Sequence, residues 1–254
     1  MNIQKNKRYW EKIAKIYHAN VGEKGDIRHE IIINPVVFEF LGDLTGKTVL
    51  DAACGNGYLS RRLAKSATKV VGVDLTEELI EFAKQKDNPK NLEFFVGTLE
   101  RLQFQNQTFD AILCNMALMD IERLDVVIGE LSRVLKTGGR MVISLIHPCF
   151  ENPPRTYSIY EERKGKKIRI GTLVQKYFIK GLVVDERNVV DNGEFYQHYH
   201  YIISDYLNLF SKSNLFLKEV SEPNGYKICK SVDQDGGMNE DTPTFIIFKL
   251  EKLR

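Results

Sequence analysis

Apolar runs alternate along this chain with amphipathic stretches, and the two periods predict different elements. Residues 1–20 place Tyr9, Trp10, Ile13, Ile16 and Tyr17 at helical spacing, and Ile33 to Leu41 gives a second helix before the Gly46-Lys47 turn. Thr48-Val49-Leu50-Asp51 reads as a short buried strand. It runs into the small-residue loop Ala52-Ala53-Cys54-Gly55-Asn56-Gly57, then a helix with Leu59, Leu63 and Ala64 on one face. Lys69 to Asp74 is a second strand. Thr76 to Ala83 is a helix, with Thr76 suited to the N-cap and acids in the first turn. Leu92 to Val96 and Phe109 to Cys114 are two further strands. Asp120 to Leu135 predicts a long helix stopping at Gly138-Gly139, and Arg140 to Ile146 a fifth strand. Strands and helices alternating at this spacing predict parallel βαβ units with right-handed crossovers, hence a doubly wound α/β sheet.

Residues 148–197 break that rhythm. Pro148, Pro153 and Pro154 open a polar segment that turns basic through Glu161-Glu162-Arg163-Lys164-Gly165-Lys166-Lys167. Extended stretches on either side of this turn predict a hairpin outside the sheet. The basic tip, 163–169, reads either as a solvated turn or as a docking patch for an acidic substrate or a protein partner. A helix over Ser204 to Ser213 and strands at Phe216–Val220 and Thr244–Leu250 complete the sheet.

Composition narrows the function classes. The 254 residues are 43% hydrophobic and 28% charged, enough apolar material for a sizeable core. With 36 basic against 34 acidic side chains the net charge is only +2, without the basic excess of a nucleic-acid binder. Cys54, Cys114, Cys149 and Cys229 lie far apart with no CxxC pair, which points to a reducing compartment and away from a disulfide framework or a metal site. The polar start MNIQKNKRYWEK has no signal-like apolar core, and no run is long enough to span a membrane. The expectation is a soluble, cytoplasmic protein, monomer or homodimer.

In an open α/β sheet, ligands bind at the carboxyl ends of the strands where the strand order reverses. Small residues at 52, 53, 55 and 57 let a ligand approach the backbone, and Asp74, ending the second strand, suits a pair of ribose hydroxyls. Those features fit a dinucleotide or an adenosyl ligand. A dinucleotide loop wants G-x-G-x-x-G, whereas Ala53 and Tyr58 occupy the first and last glycine positions. The tyrosine would obstruct a pyrophosphate, and this disfavours a nicotinamide-dependent dehydrogenase.

VLDAACGNGYLS resembles the first motif of class I S-adenosylmethionine-dependent methyltransferases, and VVGVDLTEELIEFAK their acidic second motif. FFVGTLERLQFQNQTFDAILCNMALMDI is similar to the third and fourth motifs, and ELSRVLKTGGRMVIS to the last helix–strand pair. RYWEKIAKIY resembles the lid helix of small-molecule methyltransferases. SLIHPCF, QHYHYIISDYLNLF and Glu222-Pro223 resemble a subgroup reading HPCF, then H-R-x-x-S-D-Y, then E-P. Asn152-Pro153-Pro154 matches the N-P-P-Y/F of nucleobase amino-methyltransferases only by accident, since it follows the fifth strand and precedes Arg155.

The resemblance implies a single Rossmann-like domain over 1–254 with a mostly parallel seven-stranded sheet. Its parts would be an N-terminal helical lid (1–45), a cofactor-binding core (46–147), a substrate-covering β insertion (148–203) and a C-terminal part (204–254) completing the sheet. It implies S-adenosylmethionine as cofactor and methyl transfer to an O or N atom of a small-molecule or peptide-like acceptor. Asp51 would order the loop, and Ala53, Cys54, Gly55 and Gly57 would line the methionine portion. Asp74 would hold the ribose and Leu75 the adenine, while Asn115 and Met116 would wall the methionine end. Arg28 would meet the carboxylate, and Tyr17 belongs to the lid. Thr98, beside Leu99, stands where the family often has an acid for the adenine amino group, a contact that would weaken or pass to Glu100 or a water.

His147 ends the fifth strand as a general base or as a histidine packed under the Pro148 turn. His198 and His200 share one side of an extended stretch, facing substrate or serving structure, and a dyad of His147 with either is a hypothesis. Rival readings are a nucleic-acid methyltransferase and a non-catalytic cofactor-binding module.

Overall fold

The structure, a computed structural model, describes residues 3–150, 155–191, 193–224 and 242–253. Five parallel strands form its centre: β1 (Thr48–Ala52), β2 (Lys69–Asp74), β3 (Leu92–Val96), β4 (Phe109–Asn115) and β5 (Leu135–Ile146). Two C-terminal strands, β10 (Leu215–Ser221) and β11 (Phe245–Lys252), are added at the β5 edge, and β11 runs antiparallel to both neighbours. The sheet order is β10-β11-β5-β4-β1-β2-β3, so the winding reverses between β1 and β4. This is the expected seven-stranded, mostly parallel sheet.

Why the strands read as unbroken apolar runs is clear from the burial. Val49, Val70, Leu113 and Val142 pack into one core cluster, while their neighbours Leu50, Val71, Ile112 and Ile143 pack into the other. A pleated strand sends successive side chains to opposite faces, and here both faces are covered. The first face carries α2 (Asn34–Leu41) and α3 (Tyr58–Leu63). The second carries α5 (Leu124–Val134) and α6 (Ile203–Lys212).

Two local expectations need correction. The helix expected from Asp120 begins at Leu124, after a 3-10 turn at Leu118–Asp120. The Tyr201 hydroxyl donates to the carbonyls of Ile121 and Glu122, which holds that stretch out of the helix. Gly138-Gly139 does not end this helix. It forms a bulge in β5, where a Cβ on Gly139 would lie 2.8 Å from Leu135 and 3.0 Å from the Asp110 carbonyl. Thr76 is the N-cap of α4 (Glu77–Lys84), as expected, with Glu77 and Glu78 in the first turn, although its side chain makes no cap bond. The cap bond comes from α1 (Ile3–Val21), whose Glu11 carboxylate accepts from the Glu77 N–H at 2.8 Å.

The insertion holds two hairpins instead of one. β6 (Thr156–Arg163) and β7 (Lys166–Val174) join through Lys164 and Gly165, both at positive φ as a tight hairpin turn requires. β8 (Gly181–Asp191) pairs with β9 (Glu194–His200). Pro153, Pro154, the Asn152-Pro153-Pro154 match and Cys229 lie outside the described residues.

Candidate active site

A cavity of about 390 Å³ opens over the carboxyl ends of β1, β2, β3 and β4, at the place where the strand order reverses. Its floor is the small-residue loop. Ala53 and Met116, the residues just after β1 and β4, both take φ in the left-handed region, at 59° and 54°. Non-glycine residues rarely hold that conformation, and two facing one cavity mark a backbone shaped for a ligand. Tyr17 lies across the loop, and a Cβ on Gly55 would come within 3.1 Å of its ring. Gly57, at φ 76°, leaves room for Phe94, whose ring a Cβ there would meet at 2.5 Å. Among the other predicted residues Asp74, Leu75, Thr98, Leu99, Asn115 and Met116 line the cavity with Tyr17, Ala53 and Gly55.

The remaining predicted positions stand back from it. Asp51 is buried behind the loop and accepts a 2.5 Å hydrogen bond from the Ser60 hydroxyl. Cys54 turns its thiol into the core, and its carbonyl accepts from the Gly57 N–H. Arg28 does not line the cavity, although Asp26 and His29 beside it do. His147 also lies outside the lining. Its Nδ1 accepts from the backbone N–H groups of Cys149 and Phe150 at 3.2 and 3.3 Å. That puts the proton on Nε2, which donates to Glu222 at 2.8 Å. With both nitrogens engaged, His147 forms no hydrogen-bonded dyad with His198 or His200. His200 Nε2 bonds the Tyr177 carbonyl at 2.6 Å. His198 borders a narrow recess beside the cavity, where burial pushes its pKa down to about 4. The cavity itself takes Gln197 and Tyr199 from β9.

Asp74 is the organising carboxylate. One oxygen accepts from the Gly55 N–H at 2.8 Å and the other from the Thr76 N–H at 2.9 Å, tying loop to helix. An ionised carboxylate offers about four lone-pair sites, so two remain for a ligand's hydroxyls. Burial raises its pKa, and raises that of Asp51 to about 7. Thr98 accepts from the Glu100 N–H at 3.1 Å, shaping the turn that brings Glu100 to the cavity. Asn115 accepts from the Ser144 hydroxyl at 2.7 Å, fixing the end of β4 against β5.

The roof comes from α1 and the second hairpin. Tyr9, Trp10 and Tyr17 form consecutive edge-to-face contacts at 5.9 and 5.6 Å, and Tyr196 and Tyr199 close the far side. Asp120, which the sequence reading passed over, lies under this roof. Five carboxylates (Asp26, Asp74, Glu100, Asp120, Glu122) line the cavity, and among the described residues no lysine or arginine does.

A methyltransferase domain family matches residues 43–169, half of the chain, from the turn before β1 into β7. The demethylmenaquinone methyltransferase of Lactococcus lactis subsp. lactis is 36% identical over 128 residues, 48% of this chain and 48% of its own. The ubiquinone biosynthesis O-methyltransferase of Coxiella burnetii is 34% identical over 125 residues, 47% of this chain and 53% of its own. The chain thus spans about half the length of the curated relatives it matches. Among solved structures, an S-adenosylmethionine dependent methyltransferase from Mesorhizobium loti superposes with a TM-score of 0.70 at 21% identity, covering 86% of this chain and 96% of that one, a likeness of fold. The matched half carries the loop, the strand-end acid and the cavity floor just described, and by it the chain belongs to the class I S-adenosylmethionine-dependent methyltransferase domain family.

Proposed function

We propose that this chain transfers a methyl group from S-adenosylmethionine to an O or N atom of a small-molecule acceptor. The observation that carries the reading is the acidic cavity. A dinucleotide would bring its pyrophosphate against five acidic side chains where, among the described residues, no lysine or arginine lines the cavity to offset it, whereas a sulfonium and an ammonium suit that wall. The relatives named for demethylmenaquinone and for ubiquinone biosynthesis support a small-molecule acceptor.

The cofactor, when bound, supplies a methyl made electrophilic by its sulfonium. The residues of this chain bind and align. Asp74 would accept the ribose hydroxyls on its two remaining lone pairs, with Leu75 and Leu99 against the adenine. The adenine amino group would meet Glu100 or the Thr98 hydroxyl. Ala53, Gly55, Asn115 and Met116 would border the methionine end with backbone groups, and Tyr17 would lie over it. Asp51, Cys54 and Gly57 would act through the loop's shape, and Arg28 through the segment carrying Asp26 and His29. The helix and second hairpin would cover the acceptor and exclude water, which strengthens every electrostatic contact inside. His147, His198 and His200 we read as supports of the turn and the hairpin.

Incubating the protein with methyl-labelled S-adenosylmethionine and separate small-molecule and RNA fractions tests this reading. Label in a small organic product is the expected result. Label in RNA would favour a nucleic-acid methyltransferase, and label in neither, with cofactor bound, a non-catalytic module.

A further inference from the structure

Asp120 has no part in the family reading so far, yet the fold takes trouble to place it. The 3-10 turn Leu118–Asp120 leaves β4 directly after the strained Met116 and brings Asp120 to the cavity between the cofactor-side floor and the aromatic roof. Its backbone carbonyl accepts from the Asn6 amide of the roof helix at 2.8 Å, which pins the turn under that helix. The Tyr201 hydroxyl holds the next two residues out of α5, so Asp120 is not drawn into a helix. Met119 and Ile121 flank it with apolar surface. Among the described residues its carboxylate has no hydrogen-bonded or ion-pair partner, in contrast to Asp26, Asp51, Asp74 and Glu100 around it. A carboxylate left without a partner in an enclosed site is costly for stability, and such groups collect where chemistry needs them.

Resting on the methyltransferase reading, we propose that Asp120 is the catalytic base of this site and that its acceptor is a flat, aromatic molecule carrying a weakly acidic hydroxyl. The walls set the shape: Tyr9, Trp10, Tyr196 and Tyr199 offer aromatic surface, and a lining with five acidic side chains and, among the described residues, no lysine or arginine gives an anionic acceptor no countercharge. A protonated amine has no lone pair to attack with and would add a second cation beside the sulfonium. A neutral hydroxyl can donate to Asp120 and keep its lone pairs for the methyl. In the step, the hydroxyl oxygen bonds the methyl carbon, and the carbon–sulfur pair stays on sulfur as S-adenosylhomocysteine. The hydroxyl proton passes to Asp120 and then to solvent.

The groups that face Asp120 do not compete for that proton at neutral pH. Burial holds His198 neutral and pushes Tyr9 up to about 12, and burial with the nearby Asp74 and Asp51 pushes Tyr17 higher still, while Asn6 is uncharged. Burial alone raises Asp120 itself to about 8, nearer a phenol than an ordinary carboxylate, which suits a base for a weak acid.

The test is a panel of phenols of graded acidity, with matched anilines and benzylamines, offered with S-adenosylmethionine to the wild type and to Asp120→Asn. We expect phenol methylation by the wild type. In the variant kcat should fall about 100-fold or more for weakly acidic phenols and much less for those already ionised at the assay pH. A second readout needs no turnover. In the S-adenosylhomocysteine complex, the ionisation midpoint of bound para-nitrophenol, followed by its absorbance, should differ between the wild type and Asp120→Asn, because only the wild type can take the phenol's proton onto the side chain. An equal loss across the acidity series, transfer to amines alone, no transfer to any phenol, or an identical midpoint in the two proteins would overturn the proposal. Failure to bind S-adenosylmethionine at all would overturn the methyltransferase reading instead.

Discussion

Both ring nitrogens of His147 are spoken for, two backbone amides on one side and Glu222 on the other, and that arrangement belongs to a turn being held. Neutral imidazole is what the site wants, and burial keeps its pKa low despite the nearby Glu222. Replacing His147 with Ala removes the acceptor from two amides, at a cost of about 1–3 kcal/mol in urea unfolding, and should leave S-adenosylmethionine affinity unchanged. Wild-type stability in the variant would contradict the account. Residue-level roles were unevenly legible. The loop could be read because steric demand is written into residue type, since only Gly57 fits against Phe94 at that φ. His147 left two readings open because its partner, Glu222, is remote in the chain. Asp120 was hidden by the apolar pattern Leu118, Met119, Ile121, Leu124, which a helix absorbs as readily as a turn.

At the scale of elements, α1 supplies much of the cavity's roof. It is fastened to α4 by Glu11 at the helix cap, by Lys7–Glu77 at 2.5 Å and by the stacking of His18 on Phe82 at 4.2 Å. It reaches the second hairpin through Lys12 and Glu194. Exposed ion pairs of this kind contribute about 0–1 kcal/mol each, so the roof can shift on binding without large cost. The chain's one tryptophan, Trp10, lies in that roof. Its fluorescence should change on saturation with S-adenosylmethionine, and the change should vanish in Trp10→Phe. An unaltered spectrum with cofactor bound would remove α1 from the site. The strands and both N-terminal helices were legible from periodicity, because each buries one face or two. The second hairpin was not. Its strands pack on α1 and the cavity mouth instead of on a sheet, so no alternating pattern announces them.

For the whole molecule, the buried acids imply a pH dependence whose sign can be worked out. Asp51 at about 7, Asp120 at about 8 and Asp74 all hold a proton more tightly folded than unfolded, each chiefly through burial. Their contribution to stability is complete below the unfolded aspartate value, about 3.9, and is lost as pH rises through the folded values. The histidines His18, His147, His198 and His200 act oppositely, because burial lowers their pKa. They add stability as pH rises to about 6.5, the unfolded histidine value, and nothing further above it. Between about pH 6.5 and 8.5 the acids therefore act alone. The urea midpoint of the free protein should fall across that window and fall less in Asp120→Asn, whereas a flat or rising profile would contradict the burial described.

Calorimetric titration with S-adenosylmethionine and separately with NAD, on the wild type and on Asp74→Ala, tests the central claim most directly. The account predicts micromolar binding of S-adenosylmethionine, no binding of NAD, and a loss of at least about tenfold in affinity in the variant. Binding of NAD, or no binding of S-adenosylmethionine by the wild type, would contradict it.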